Sequence, residues 1–200
     1  MTQKTTLIGK YSPWGKIQHC YEVLEGFHLV STPGHGGVKL NRARNAQIPA
    51  SVRKAGGWYE EDCEYCIPYI VFGDEILEHG DRKGTDGNYS DKLCVAHYAR
   101  VSAKDWYPDF YESFTGESVP LEESYTRRQA KFWQDHRDDF VVYSARSTAG
   151  SDTVLVVANK ESTGESKQFY VDADSYRNRE SFGYVIDEEK DQEVVYSKVF

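Results

Sequence analysis

Two neighbouring glycine-rich segments contain the side chains best suited to chemistry. The first, residues 31–40 (STPGHGGVKL), places His35 among glycines, where no bulky neighbour crowds the imidazole. The second, residues 56–63 (GGWYEEDC), supplies three consecutive carboxylates, Glu60, Glu61 and Asp62. A histidine that faces one or two carboxylates can act as a base or bind a metal ion, which is the arrangement that a metal-assisted hydrolase uses.

The first segment could also bind an oxyanion or a phosphate, because glycine pairs expose backbone N–H groups and allow close approach. The residues that would form this cradle are Thr32, Gly34, Gly36, Gly37 and Lys39. The segment matches neither the phosphate-binding loop, which ends in Gly-Lys-Ser/Thr, nor the dinucleotide fingerprint. Two structural interpretations stay open: His35 bonded to the backbone of a tight turn, and an acidic first turn of a helix at residues 60–62.

A zinc site would need the two pairs Cys63 with Cys66 and Cys94 with His97. Two thiolates separated by two residues on a turn can reach one ion, and a second pair completes a tetrahedron. Both pairs fall instead in segments with a helical pattern, and free cysteine is an ordinary small core residue. Core packing is therefore favoured over zinc, with redox chemistry as a third alternative. We expect no cofactor, and zinc is the alternative to that expectation.

The chain is acidic, because its 200 residues include 32 Asp and Glu against 24 Lys and Arg, a formal net charge of −8. This balance disfavours direct nucleic-acid binding, which needs clustered cations, and favours docking on a basic partner surface. An acidic stretch near the C-terminus supplies the candidate partner-binding residues Asp187, Glu188, Glu189, Asp191 and Glu193. The alternative is that this stretch is only an exposed turn.

We expect a cytoplasmic protein without a membrane segment. No apolar run approaches the roughly 20 residues that a membrane helix needs. The first residues, MTQKTT, lack the apolar segment of a signal peptide, and the four cysteines are expected to be reduced in the cytoplasm. With 15 Tyr and 4 Trp, the chain has enough aromatic mass for a core, which argues against disorder.

The residue pattern predicts an α+β fold of antiparallel sheets and several short helices. An N-terminal β-hairpin is expected where residues 17–22 meet residues 27–31 across Gly26. Helices are predicted over 50–54, from 59 towards Pro68, from Ser90 or Asp91 onwards and over 121–136, and a surface loop is predicted over 73–89. Further strands are predicted over 140–145, 154–159, 167–171, 182–187 and 193–196. The predicted lobes are residues 1–117, which include the glycine–histidine loop, and residues 118–200, a helix followed by a β lobe.

Six landmarks together resemble one protein family. They are SPWG at 12–15, STPGHGG at 31–37, RNA at 44–46, GWYEEDCE at 57–64, WYPD at 106–109 and FGYVID at 182–187. The chain resembles a domain of unknown function found on phages, plasmids and proteobacterial genomes. The landmarks span nearly the whole chain, whereas Cys66 departs from the family pattern, which weighs further against zinc. The resemblance implies a mobile genetic element, whose small acidic proteins often antagonise host immunity.

Two functions are expected. The favoured one is a phage or mobile-element protein of the anti-CRISPR or anti-defence type, which binds and inhibits a host protein or nucleoprotein complex through an acidic, aromatic-rich surface. Binding is favoured because the sequence contains no convincing nucleophile pattern such as Ser-His-Asp. The alternative is a metal-assisted hydrolase of a phosphate-bearing or nucleotide substrate, which would use the loop from Thr32 to His35 with the carboxylates of residues 60–62.

Overall fold

The computed structural model describes residues 7–79, 90–147 and 152–194, and its fold is the predicted α+β arrangement of antiparallel sheets and several helices. The chain divides into two compact units, Met1–Arg127 and Arg128–Phe200. This division falls inside the helix Tyr125–Asp135, whereas the sequence places the lobe boundary after residue 117. Each unit has a hydrophobic core of its own.

The first unit is built on a four-stranded antiparallel sheet with the strand order β3-β4-β5-β6. Its strands and the short ribbon that precedes them are β1 (Tyr11–Ser12), β2 (Gly15–Lys16), β3 (His19–Leu24), β4 (Phe27–Ser31), β5 (Gly36–Leu40) and β6 (Trp58–Glu60). The predicted N-terminal hairpin is confirmed, since β3 and β4 are joined across Gly26. Gly26 has a φ of 77°, which glycine adopts without the steric penalty of a side chain.

The helices of the first unit share one core with this sheet. They are α1 (Arg42–Gln47), α2 (Cys66–Val71), α3 (Gly73–His79), α4 (Asp91–Leu93), a π-helical turn (Cys94–Tyr98), α5 (Ala99–Trp106) and α6 (Pro108–Thr115). Phe27 and Tyr59 of the sheet are fully buried in that core, together with Ile67 of α2. The Tyr69 hydroxyl donates to the buried Asp91 carboxylate over 2.7 Å, which ties α2 to the start of α4.

In this unit the helix predicted over 50–54 is wrong, and the helix predicted from residue 59 begins only at Cys66, as α2. Residues 50–52 form a turn and residues 53 and 54 have no regular structure. The helix lies earlier, at α1, where the Asn41 side chain accepts a hydrogen bond from the Arg44 N–H over 2.8 Å. Pro49 follows α1, in keeping with a residue that cannot continue a helix. Residues 58–60 form β6, because Trp58 pairs with Lys39 in the sheet and the strand buries Tyr59 completely.

The segment predicted as a surface loop, residues 73–89, begins with helix α3, and residues 80–89 lie outside the described residues. The helix predicted at Ser90 is confirmed, because the Ser90 hydroxyl accepts a hydrogen bond from the Leu93 N–H over 3.1 Å as an N-cap. The π-helical turn Cys94–Tyr98 then interrupts the α-helical path. Single π-helical turns inside helices are frequent at functional sites.

The second unit is an antiparallel sheet with the order β10-β9-β8-β7. Its elements after α7 (Tyr125–Asp135) are β7 (Phe140–Ser147), β8 (Thr153–Lys160), β9 (Glu165–Asp172), α8 (Ala173–Arg177) and β10 (Gln192–Glu193). The first three strands contain those predicted at 140–145, 154–159 and 167–171. The predicted helix over 121–136 begins later, at Tyr125, after a 3₁₀ turn (Leu121–Glu123).

The strand predicted over residues 182–187 is wrong. This segment makes only the isolated bridges Val141–Val185 and Glu180–Gly183. The strand predicted over 193–196 begins with β10, and residues 195 and 196 lie outside the described residues. Within the part of the chain that the structure describes, no helix is long and apolar enough to cross a membrane.

Candidate functional site

The turn between β4 and β5 holds His35 at the surface. The Thr32 hydroxyl accepts a hydrogen bond from the His35 N–H over 3.1 Å and donates to the His35 carbonyl over 2.9 Å, and the Thr32 N–H donates to the same carbonyl over 2.7 Å. Thr32 is buried, whereas the His35 side chain is 56% exposed. Thr32 therefore fixes the turn and leaves the imidazole open to solvent.

The end of β6 brings two glutamates to this turn. Glu60 pairs with Gly37 across the β5–β6 ladder, and Glu61 follows it directly. The His35 Nδ1 atom lies 3.9 Å from Glu60 Oε1 and 3.7 Å from Glu61 Oε1. One ligand atom from each of the three side chains fits within a mutual distance of 4.8 Å. We call His35, Glu60 and Glu61 the cation cluster, since such a set can bind one divalent ion.

The two oxygens of Glu60 have different surroundings. Its Oε2 atom accepts a hydrogen bond from the Asp62 N–H over 2.7 Å. Its Oε1 atom, the one that faces His35, is buried and has no hydrogen-bond partner. A buried polar atom without a donor costs free energy. A cation bound at Oε1 would satisfy this atom.

Glycines 36 and 37 provide space beside the cluster. A Cβ on Gly36 would lie 2.5 Å from Glu61 Oε2, and a Cβ on Gly37 would clash with the Tyr59 carbonyl and the Trp14 ring. Their backbones pair with β4 and, for Gly37, also with β6. Both glycines therefore permit close approach of neighbouring groups within the sheet instead of lining an open phosphate loop.

Lys39 is turned away from the cluster. Its Nζ atom donates to the Gly56 carbonyl and lies 4.6 Å from the centre of the Trp58 ring. Burial lowers the pKa of Lys39 below its ordinary value. Gly34, the other residue of the predicted cradle, is exposed, and a side chain there would meet nothing within 4 Å.

A groove of about 480 Å³ adjoins the cation cluster. The described residues that line it are Glu61, Asp62, Tyr65 and Tyr98. Glu61 thus belongs to both the cluster and the groove. Burial raises the pKa of Tyr65 to about 12, so its phenol is neutral at physiological pH. Tyr98 is the last residue of the π-helical turn.

The four candidate zinc ligands are not gathered around one point. Cys66 and Cys94 are fully buried, and the Cys66 thiol donates to the Cys63 carbonyl over 3.0 Å. His97 is exposed and packs edge-on against Tyr98. Among the described residues, only the cation cluster has three such ligand atoms within 4.8 Å of one another. All four cysteines of the chain are free thiols.

The acidic stretch at residues 187–193 is largely engaged within its own unit. Asp187 forms an ion pair with Lys190, and Glu193 forms one with Lys167. Asp191 is buried and accepts hydrogen bonds from the Asp187 N–H over 2.9 Å and the Tyr184 hydroxyl over 3.3 Å. Glu188 and Glu189 remain as exposed acids of this stretch.

Sequence reasoning missed the two tyrosines of the groove. Tyr65 lies directly before α2, and Tyr98 lies beyond two further helices, so no local spacing connects them. The π-helical turn that ends at Tyr98 also has no recognisable sequence signal. For Gly36, the sequence indicates only that a glycine allows neighbouring groups to approach closely. It does not indicate that the neighbouring group is the Glu61 carboxylate.

The chain is an α+β protein that brings His35, Glu60 and Glu61 together at its surface beside a small groove. The chain belongs to a family described as a domain of unknown function (DUF7007), whose model matches residues 8–137. This match contains the whole cation cluster and the groove. No curated protein and no solved structure matches the chain.

Proposed function

We propose that this domain is a divalent-cation-dependent hydrolase of phosphate-bearing substrates, nucleotides included. The observation that supports the proposal best is the cation cluster, with the His35 Nδ1 atom 3.7 Å and 3.9 Å from two glutamate oxygens. Catalytic metal sites commonly have three protein ligands and keep further positions open for water and substrate. The exposure of His35 and the adjoining groove provide that access.

Each ligand has a distinct place in this proposal. His35 would bind the cation through Nδ1, Glu60 through its unpartnered Oε1 and Glu61 through Oε1. The Asp62 N–H holds the other oxygen of Glu60 and so orients the carboxylate. Such support of a ligand by a hydrogen bond is a general feature of metal sites.

The negative charge of Glu60 and Glu61 means that phosphate binding at the cluster would require a divalent cation. Two carboxylates repel a phosphate dianion, and the phosphate cradle expected from the sequence is not lined by a free lysine, because Lys39 binds Gly56 and Trp58. A bound divalent cation would attract the phosphate and polarise the attacking water. Water oxygen forms a bond to phosphorus as the ester P–O bond breaks. One water proton ends on the released alcohol and the other stays on the phosphate.

The test combines cation binding with turnover. Calorimetry with Mn²⁺ and with Zn²⁺ should give one site, and His35→Ala and Glu61→Gln should each weaken it by at least about tenfold. Hydrolysis of p-nitrophenyl phosphate and of a nucleotide panel should require the cation and fall by about 10²-fold or more in both variants. Glu78→Gln, an exposed acid of α3, is the matched control. Wild-type protein that binds no cation would overturn the proposal.

A second candidate function is inhibition of a host defence complex through contact with its basic surface. The net charge of −8 and the exposed pair Glu188 and Glu189 support it, as does the resemblance to proteins of phages and plasmids. In affinity capture from host lysate, a partner should be retained by wild type and by His35→Ala. It should be lost when Glu188 and Glu189 are both replaced by lysine. Retention by the lysine variant would contradict docking at this turn.

A further inference from the structure

The groove beside the cation cluster has a composition that favours one kind of ligand. The described side chains that line it are the carboxylates Glu61 and Asp62 and the rings of Tyr65 and Tyr98. Among the residues that the structure describes, no lysine or arginine lines the groove. Carboxylates repel anions, and aromatic rings attract organic cations through the negative face of the ring.

The two carboxylates of the groove differ in their relation to the cation cluster, because Glu61 belongs to the cluster and Asp62 does not. Glu61 faces His35 with one oxygen, so a divalent ion bound there would neutralise part of its charge. Asp62 lies outside the cation cluster, and its carboxylate would keep a full negative charge in the groove. The Tyr65 phenol is neutral near pH 7, and burial raises its pKa further above the ordinary value. A positive group in the groove would therefore face one unneutralised carboxylate and two neutral rings.

We propose that the groove binds the ammonium group of a phosphate monoester of an amino alcohol. The position of the phosphate, at the cation cluster, rests on the proposed hydrolase function. The volume of about 480 Å³ lies within the usual range for small-molecule sites. Hydrolysis of such an ester would follow the step given above and release the amino alcohol and inorganic phosphate.

Phosphocholine and 3,3-dimethylbutyl phosphate are matched probes, because the second replaces the ammonium nitrogen by carbon and keeps the shape. Calorimetry on the full chain with Mn²⁺ present should show phosphocholine binding about tenfold more tightly. Asp62→Asn and Tyr98→Leu should each reduce this ratio towards one, and Tyr98→Leu should leave the Mn²⁺ affinity unchanged. Glu78→Gln should change neither value. Asp62 is exposed, so its variant tests the groove even if Tyr98→Leu fails to fold.

The outcomes separate this inference from the proposed function. Equal binding of both probes would overturn the ammonium site, and cation-dependent hydrolysis of both would then still support the hydrolase. Tighter binding of phosphocholine without hydrolysis of either probe would support the groove and overturn the hydrolase. If neither probe binds, the ammonium site is overturned. Inorganic phosphate as a third ligand would then show whether the cluster holds phosphate at all.

Discussion

The Glu61 carboxylate occupies the space that a side chain on Gly36 would need. Its Oε2 atom lies 2.5 Å from the position of a Cβ on Gly36, and its Oε1 atom lies 3.7 Å from His35 Nδ1. Real Cβ atoms essentially never come that close to another heavy atom. The carboxylate therefore keeps this position beside the histidine only while residue 36 has no side chain.

Gly36→Ala should weaken cation binding without removing a ligand. The new methyl group would displace the Glu61 carboxylate, which is the flexible end of its side chain, and would also press on the Val30 carbonyl at 3.0 Å. We expect the affinity for Mn²⁺ to fall about tenfold, the size of effect seen when the support of a metal ligand is lost. Isothermal calorimetry measures this change directly.

Gly34→Ala is the matched control for this prediction. It lies in the same turn, and a Cβ there would meet nothing within 4 Å. Its Mn²⁺ affinity should equal that of the wild type, and circular dichroism should show the same sheet content for all three proteins. Unchanged affinity in Gly36→Ala would mean that Glu61 is not a cation ligand.

Local sequence patterns predict those parts of the fold that local forces determine. Strand alternation and Gly26 predict the N-terminal hairpin, and the short apolar runs around Val156 and Phe169 predict the central strands of the second unit. Strand β6 is different, because Trp58 joins the sheet through Lys39, a residue distant in sequence. Its three residues carry no alternation of their own, so the tertiary pairing decides their conformation.

The candidate site divides in the same way. Residue types and glycine spacing identify His35 and the carboxylates of residues 60–62 as candidate catalytic or metal-binding groups. Their mutual distance depends on the β5–β6 register, in which Gly37 pairs with Glu60. Tyr98 reaches the groove from the end of a π-helical turn, and no sequence rule places such a turn. Likewise, nothing in the acidic sequence of residues 187–193 predicts that Asp191 is buried.

The ion pair between Glu112 and Arg127 should make the first unit sensitive to acid. Arg127 contacts both oxygens of the Glu112 carboxylate, at 2.9 Å and 2.7 Å, and the Val119 N–H donates to the same group. These contacts lower the pKa of Glu112 from 4.5 to about 2. A lowered folded-state pKa gives stability that is complete above the unfolded-state value and is lost as pH falls towards 2.

Glu112→Gln should therefore be less stable than wild type at pH 7, and the difference should shrink between pH 4.5 and pH 2. Urea unfolding of both proteins across this pH range measures the difference in their free energy of unfolding. Glu122→Gln, an exposed acid of the nearby 3₁₀ turn, serves as the control and should follow the wild-type profile. A stability difference that is constant with pH would contradict the assignment of this effect to the Glu112 charge.

Cys66 should be less reactive than its neighbour Cys63. It is fully buried, and burial raises its pKa to about 12, so little thiolate forms near neutral pH. Cys63 is partly exposed. In the folded protein at pH 8, iodoacetamide should modify Cys66 at least about tenfold more slowly than Cys63. Tandem mass spectrometry separates the two sites, and the difference should vanish in urea. Equal modification rates for Cys66 and Cys63 in the folded protein would contradict this prediction.

Asp191 should act as a structural residue, unlike its acidic neighbours. Its carboxylate accepts the Asp187 N–H over 2.9 Å and the Tyr184 hydroxyl over 3.3 Å from a buried position. Asp191→Ala would leave these donors without a partner and should lower the free energy of unfolding by about 1–3 kcal/mol. Glu188→Ala, at an exposed position of the same turn, should change it by no more than about 0.5 kcal/mol. Chemical denaturation compares the two variants, and equal losses would mean that the buried hydrogen bonds of Asp191 do not stabilise this turn.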